Sequence, residues 1–176
     1  VAALRWELLQ TPIGSVLIAG TAAELHAVEL LDEELPRDTL LPPLLERWPK
    51  SLRKLELMRG SVMGGTARAQ IEAYFAGARL GFDLALAFHG TPYQQRVWME
   101  LRRIPYGETR SYGQIAGNLG RTSPRAVGMA NHRNHLPIVV PCHRVIAADG
   151  SLAGFAGGLA RKRWLLDHEA GQRRLR

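Results

Sequence analysis

Cys142 is the only cysteine among 176 residues, and a histidine follows it directly in the run Pro141-Cys142-His143-Arg144. A thiol attacks carbon as its thiolate, and neighbouring cations lower its pKa, so His143 and Arg144 predict a reactive cysteine. The alternative for any lone cysteine is a small buried hydrophobe. The flanks Ile138-Val139-Val140 and Val145-Ile146 are apolar and predict a buried, strand-like approach. Pro141 has no N–H to give to a ladder, which predicts that the strand stops there and presents the thiol at a turn. Glu169 is the second group of chemical interest. It stands three and four residues after Leu166 and Leu165, on the apolar stripe of a helix expected from Leu159 to about Ala170, where a carboxylate needs a partner. A helix-end glutamate in a surface ion pair is the alternative.

The elements that position these groups are legible as two blocks. In the first, Leu4 to Leu9, Ser15 to Ala19 and Leu25 to Leu30 read as strands separated by Thr11-Pro12-Ile13-Gly14 and Gly20, with antiparallel pairing expected. Asp32 to Pro49, rich in acidic residues and proline, reads as an irregular or partly helical connection. A helix is expected from Thr66 to Phe75, and Phe82 to Leu86 alternates as a short strand. His89-Gly90 marks the change of composition. In the second block, Thr91-Pro92-Tyr93-Gln94 has a capping residue, proline at the first helical position and glutamine at the third, so a helix should run to about Arg103. Ser111-Tyr112-Gly113-Gln114 repeats the box and Gly120 ends the helix. Ser123-Pro124 starts another, to about Asn134. Two short helices joined by Gly120-Arg121-Thr122 make a helix-turn-helix.

Composition narrows the function. An apolar content of 46% is ample for a core. No apolar run is long enough to span a membrane, and the start shows no leader pattern, so a cytoplasmic protein is expected. One cysteine allows no internal disulfide and no cysteine-based zinc site, and the six histidines lack ligand spacing, so no metal is expected. Residues 1–90 carry 9 Lys/Arg against 11 Asp/Glu, net −2, while residues 91–176 carry 14 against 5, net +9. In that second half every basic residue except Lys162 is an arginine, the side chain suited to phosphate forks and to stacking on bases. The asymmetry points to a polyanion, nucleic acid first.

Pro141-Cys142-His143-Arg144-Val145 followed by Gly154-Phe155-Ala156-Gly157-Gly158-Leu159 resembles the active-site block of the O6-alkylguanine-DNA alkyltransferases, the methylated-DNA-protein-cysteine methyltransferases. Ile104-Pro105-Tyr106-Gly107-Glu108-Thr109 and Arg125-Ala126-Val127-Gly128 also match. The likeness is strong from about Gly90 to Gly171 and looser over the first half. It implies an α/β protein with a ribonuclease H-like domain over 1–88 and a mostly helical domain with the helix-turn-helix over 89–176. The activity implied is irreversible, once-per-molecule transfer of an alkyl group from O6-alkylguanine, with O4-alkylthymine as a further substrate, in double-stranded DNA to Cys142. The base is flipped out first, no cofactor takes part, and the protein acts as a monomer.

The same resemblance carries the site residues. Glu169, His143 and Cys142 match a water-linked triad, and Tyr112 matches a side chain that rotates the 3′ phosphate and helps protonate guanine. From the residues alone, Tyr112 is equally a staple packing the helix start. Arg125 matches the arginine that fills the vacated base stack, on a helix that in the family enters the minor groove; Arg121 and Arg133, on or just before the same helix, are read from their charge and place as further DNA contacts. Asn134 matches an amide that holds the cysteine turn. Val145, Phe155, Ala156 and Gly157 match the wall that binds guanine, although these glycines serve equally as turn residues. Phe155 stands where tyrosine is common, and His135 follows Asn134 where proline is usual. Two rival functions differ by a residue each predicts. A lesion-binding protein without transfer would lack Cys142, and a cysteine hydrolase built on Cys142, His143 and Glu169 gives no role to Arg125.

Overall fold

A computed structural model of the chain describes residues 3–32 and 46–174, and most of the connection expected from Asp32 to Pro49 lies outside them. The chain forms two compact units, residues 1–89 and 90–176.

The first unit is built on β1 (Ala3–Thr11), β2 (Gly14–Gly20), β3 (Leu25–Leu30) and β4 (Glu56–Arg59), in the order β3-β2-β1-β4. The three expected strands are present and pair antiparallel, with Leu8 opposite Leu17 and Ile18 opposite Val28. β2 is buried along six of its seven residues, because the sheet is covered on both faces and alternate side chains both find a core. Leu4, Trp6, Leu17, Ala19, Ala27, Leu31, Trp48 and Leu52 form one such layer. β4 was not foreseen. It runs parallel to β1, and its pattern Glu56-Leu57-Met58-Arg59 leaves two of its residues plainly polar, as an edge strand allows. Phe82 to Leu86 is not the expected strand. Only Leu86 bridges to Leu25, through Leu25 N–H to the Ala85 carbonyl and Ala87 N–H to the Leu25 carbonyl, so the segment is an extended edge fragment. Helix α1 (Thr66–Phe75) buries Ala67, Ile71 and Tyr74, and Arg68 ties it to the sheet through Glu7 and the Leu8 carbonyl.

The second unit has α2 (Pro92–Leu101), α3 (Tyr112–Leu119), α4 (Pro124–His132) and α5 (Leu159–Arg174), with a two-strand pair, β5 (Arg110–Ser111) and β6 (Val145–Ile146), running parallel. Both expected capping boxes form, at Thr91 with Gln94 and at Ser111 with Gln114. Between α3 and α4, Gly120 takes a positive φ of 82° that its lack of a Cβ permits. The turn is pinned from α2, where Tyr93 shares a 2.6 Å hydrogen bond with Thr122 and Arg96 donates to the Leu119 carbonyl. Trp98 Nε1 donates to the Ala130 carbonyl at 2.9 Å, fixing α4 on α2. Among the described residues no helix is long and apolar enough to cross a membrane.

In the first unit, His26 Nδ1 and His89 Nε2 lie 3.0 Å apart, and His89 Nδ1 lies 3.0 Å from Ser51 Oγ. Burial lowers both histidine pKa values, and the neighbouring imidazole lowers that of His89 further, against an upward pull from Glu24. A histidine held below its unfolded value of 6.5 takes up a proton more readily when unfolded. Its stabilisation is therefore complete above that pH and is lost as pH falls through the window below it. The unfolding free energy measured in urea is expected to fall as pH drops below 6.5, by up to about 1.4 kcal/mol per pH unit for each proton taken up. His26→Gln should flatten that limb, and an unchanged slope would sink the assignment.

Candidate active site and nucleic-acid interface

Helix α5 places a polar stripe inside the protein. Lys162, Leu165 and Glu169, at i, i+3 and i+7, are its buried positions, and neither Lys162 nor Glu169 retains any exposure. Glu169 meets the expectation of a buried carboxylate that needs partners. It accepts from Arg144 Nε at 2.9 Å and Arg144 Nη2 at 3.0 Å, from the Gly107 N–H at 3.1 Å, and its Oε1 lies 2.8 Å from His143 Nε2. Burial alone would raise its pKa, but the bonds and charges of His143 and Arg144 outweigh that and hold it well below the usual carboxylate range. Arg144 also donates to the Ile104 carbonyl at 2.7 Å and lies over the Tyr106 ring. It is an anchor of the cysteine turn, as its permanent charge requires.

The cysteine segment differs from the expected strand. Residues 137–140 form a turn with a bridge between Pro137 and Val140, and Ile138 has a φ of 74°. Cys142 opens a short 3-10 turn, Cys142–Arg144, and the strand follows it as β6. The proline therefore separates two turns. A β-branched residue at positive φ costs on the order of 1–3 kcal/mol and is kept only where the surroundings over-determine it. Here they do: Asn134 Nδ2 donates to the Val140 carbonyl at 2.9 Å, and Asn134 Oδ1 accepts from the Leu136 N–H at 3.0 Å. The expected support by Asn134 thus has a geometry. His135 packs edge-on against Trp98, with ring centroids 5.0 Å apart.

The electrostatics at sulfur also depart from expectation. Cys142 is 5% exposed, and burial pushes its thiol up to about 11, with Asn134, Lys162 and backbone N–H groups offsetting only part of the shift. Arg144 does not activate it, because its charge is spent on Glu169. His143 does not either: burial lowers its pKa, and Arg144 and Lys162 oppose the upward pull of Glu169. The imidazole is therefore neutral at pH 7. Glu169 as a carboxylate only accepts, so His143 Nε2 carries the proton and Nδ1 keeps the lone pair. Among the described residues Nδ1 is buried without a hydrogen-bond partner, and no bond joins it directly to the thiol.

Tyr112 is the first residue of α3, half-buried, with its ring beside Gly128 of α4 and its hydroxyl donating to the Ala153 carbonyl at 3.0 Å. Burial and the nearby sulfur raise its pKa, so it holds its proton at neutral pH. Ala153 also accepts from Lys162 Nζ at 2.8 Å, and Lys162 reaches the Val145 carbonyl at 2.5 Å. Val145 is buried in β6, Phe155 and Gly157 are half-buried, and Ala156 is exposed. Arg121, Arg125 and Arg133 are all exposed, on the turn, the first turn of α4 and its C-terminal cap respectively. Residues that sequence reasoning passed over are Lys162, which shares the inner stripe with Glu169, and Asn131, a buried amide of α4 that donates to the Cys142 carbonyl at 3.4 Å. The i, i+3, i+7 spacing was a usable signal for Lys162. Nothing in the sequence marked Asn131. Among the described residues no group of three or more metal-ligating side chains comes together.

The description "6-O-methylguanine DNA methyltransferase, DNA binding domain" matches residues 92–171, and "6-O-methylguanine DNA methyltransferase, ribonuclease-like domain" matches residues 4–88. A methylated-DNA-protein-cysteine methyltransferase of Methanosarcina acetivorans is 41% identical over 94% of this chain and 98% of its own. The constitutive one of Bacillus subtilis is 41% identical over 84% of each chain. A crystal structure of Mycobacterium tuberculosis OGT in complex with DNA superposes with a TM-score of 0.79 at 39% identity, covering 96% of this chain and 94% of that one.

Removing Glu169 leaves a buried guanidinium uncompensated. Glu169→Ala is expected to lose about 3–5 kcal/mol of stability by urea unfolding at neutral pH. Because its folded pKa lies below the unfolded 4.5, this stabilisation is present above that pH and fades as pH falls further. A variant within about 1 kcal/mol of the parent would show that the carboxylate is not what holds the turn.

Proposed function

The chain belongs to the 6-O-methylguanine DNA methyltransferase family, and on that premise we propose that it repairs DNA by moving the alkyl group of O6-alkylguanine onto Cys142. The observation that carries this reading is a single cluster in the second unit. The nucleophile's turn is bonded on one side to Glu169 of α5 through His143 and Arg144, and on the other to Asn131 of the helix-turn-helix. The reacting sulfur and the basic, DNA-facing helix are parts of one rigid construction. Residues 90–176 are the DNA-binding and transfer domain in this reading and residues 1–89 the companion domain, one residue from the expected boundary because His89 bonds to His26. The protein acts as a monomer in the reducing cytoplasm, where a lone thiol stays free.

A base inside a duplex is out of reach of a buried sulfur, so it is extruded first. Arg125, exposed near the start of α4, fills the gap in the stack with its guanidinium plane. Arg121 and Arg133 hold phosphates on either side. The base enters beside Tyr112 and rests against Val145, Phe155, Ala156 and Gly157. For this the Tyr112 hydroxyl exchanges the Ala153 carbonyl for the purine.

The resting thiol is protonated, so its proton has to leave sulfur for the bond to carbon to form. His143 Nδ1 is the acceptor, through a bridging water, and Glu169 steadies the imidazolium. The Sγ–C bond forms as the C–O6 bond breaks. The electron pair returns to the purine, which takes a proton from the Tyr112 hydroxyl, and the imidazolium and phenolate re-equilibrate through solvent. Reversal would ask guanine to expel a thiolate from carbon, and the chain has no second cysteine to take the group onward. No cofactor enters the balance.

Incubation with excess alkylated duplex is expected to plateau at about one repaired guanine per active molecule. Intact mass should rise by one alkyl group, located in the peptide with Cys142. Cys142→Ser should abolish transfer while keeping DNA affinity. Sustained formation of many equivalents would mean a turnover enzyme and overturn the reading. Arg125→Ala is expected to slow reaction with duplex about tenfold or more while sparing the free alkylated base, since unstacking costs a few kcal/mol only in the duplex. Equal losses on both substrates would remove the wedge role.

A further inference from the structure

Helix α4 divides cleanly into two faces. Val127, Ala130 and Asn131 are buried, and the opposite side presents Arg125, Met129 and His132 to solvent. Met129 is 66% exposed, the highest value among the large exposed apolar residues of the described chain. It stands one turn beyond Arg125, at i+4, so the two side chains lie one above the other on the same ridge. Gly128 on one flank lies against the ring of Tyr112, which a Cβ at that position would meet at 3.8 Å, an ordinary van der Waals contact. A large, unbranched thioether left in water on the outer ridge of a basic helix contributes nothing to the fold. Its position selects what covers it: exposed Arg125 and Arg133 stand four residues to either side, with exposed Arg121 in the preceding turn, and this run of positive charge draws a polyanion over the ridge and away from an apolar protein partner.

We propose that Met129 is a second wedge on the DNA-binding helix: an apolar side chain that enters the minor groove one helical turn along from Arg125. There it packs against sugar and base edges next to the gap that Arg125 fills. The proposal rests on the alkyl-transfer reading above and adds to it a contact that carries no charge. The spacing is suitable, because four residues advance about 6 Å along the helix axis, under two base steps of about 3.4 Å each. The groove is suitable too. Its floor offers a poor hydrogen-bond code and its walls are sugar C–H surface, and apolar side chains inserted there unstack a step and open the groove toward the major side. Methionine bends to fill an irregular gap without leaving a polar atom unpaired. Arg125 then supplies charge and stacking, while Met129 supplies hydrophobic burial that widens the groove enough for the helix to enter.

The two contributions separate by salt dependence. Affinity for an alkylated duplex is measured against salt concentration for the parent, Met129→Ala, Met129→Leu and Met129→Gln, each with its melting temperature. Met129→Ala is expected to bind about tenfold more weakly at every salt concentration, with the same slope of log K against log salt, because no counterion is released by a thioether. Leucine should restore most of the affinity, and glutamine, of similar length but polar, should not. A duplex carrying 2-aminopurine one step from the lesion is expected to brighten on saturation with the parent and less so with Met129→Ala. Affinity of Met129→Ala within twofold of the parent, a changed salt slope, or equal rescue by leucine and glutamine would overturn the wedge while leaving alkyl transfer standing. A parent that transfers no alkyl group to Cys142 would overturn the transfer reading itself.

Discussion

The site depends on one buried carboxylate. Glu169 has no exposure, and a charge in that position persists only if its lone pairs are satisfied and its charge is matched. The chain meets both demands with the Arg144 fork and the His143 ring, neighbours in the cysteine turn, and with the Gly107 N–H from a separate segment. The same arrangement decides the protonation of the site. A carboxylate paired with histidine alone would favour the imidazolium, which cannot accept a proton. Burial is the main reason the imidazole is held below its ordinary pKa, and the charges of Arg144 and Lys162 add to it against the upward pull of Glu169. Arginine suits this task because it cannot surrender its own proton.

The turn that carries Cys142, the proposed nucleophile, is held by geometry more than by charge. Ile138 is kept in a left-handed conformation, and Asn134 spans the turn from the Leu136 N–H to the Val140 carbonyl. Asn131 reaches the Cys142 carbonyl from the helix that carries Arg125. Lys162 clamps the Val145 and Ala153 carbonyls and so sets the spacing between β6 and the segment that leads to Phe155. Its ammonium is also the positive charge acting on sulfur. Burial still dominates, so the thiol rests protonated. A sulfur held in this way is protected from adventitious oxidation.

On the DNA side, the division of labour follows from helix periodicity. One face of α4 is committed to Trp98 and the core, so everything it can offer a ligand lies on the Arg125, Met129 and His132 ridge. The first unit has a different logic: a sheet with a central strand buried on both faces, a helix tied to it by the Arg68–Glu7 pair, and a hydrogen-bonded histidine pair.

Local patterns determined much of this in advance. The capping boxes at Thr91 and Ser111, the glycine stop at Gly120, the first three strands and the α1 span are written in residues a few positions apart, and they formed as read. The inner stripe of α5 likewise gave Glu169 as a buried carboxylate, and the Cys-His pair with its flanking blocks gave the family. Tertiary structure decided the rest. β4 exists because β1 has a free edge to pair with, a fact absent from the sequence of Glu56–Arg59 itself. The apolar run before Pro141 became a turn because Asn134 satisfied its carbonyl, where a strand would have needed a partner on each side. His143 and Arg144 look like activating cations when read along the chain, yet one is neutral and the other is spent on Glu169. Protonation belongs to three-dimensional neighbours: pKa is set by burial and by charges within a few ångströms, and those distances are fixed only once α5 has closed over the cysteine turn.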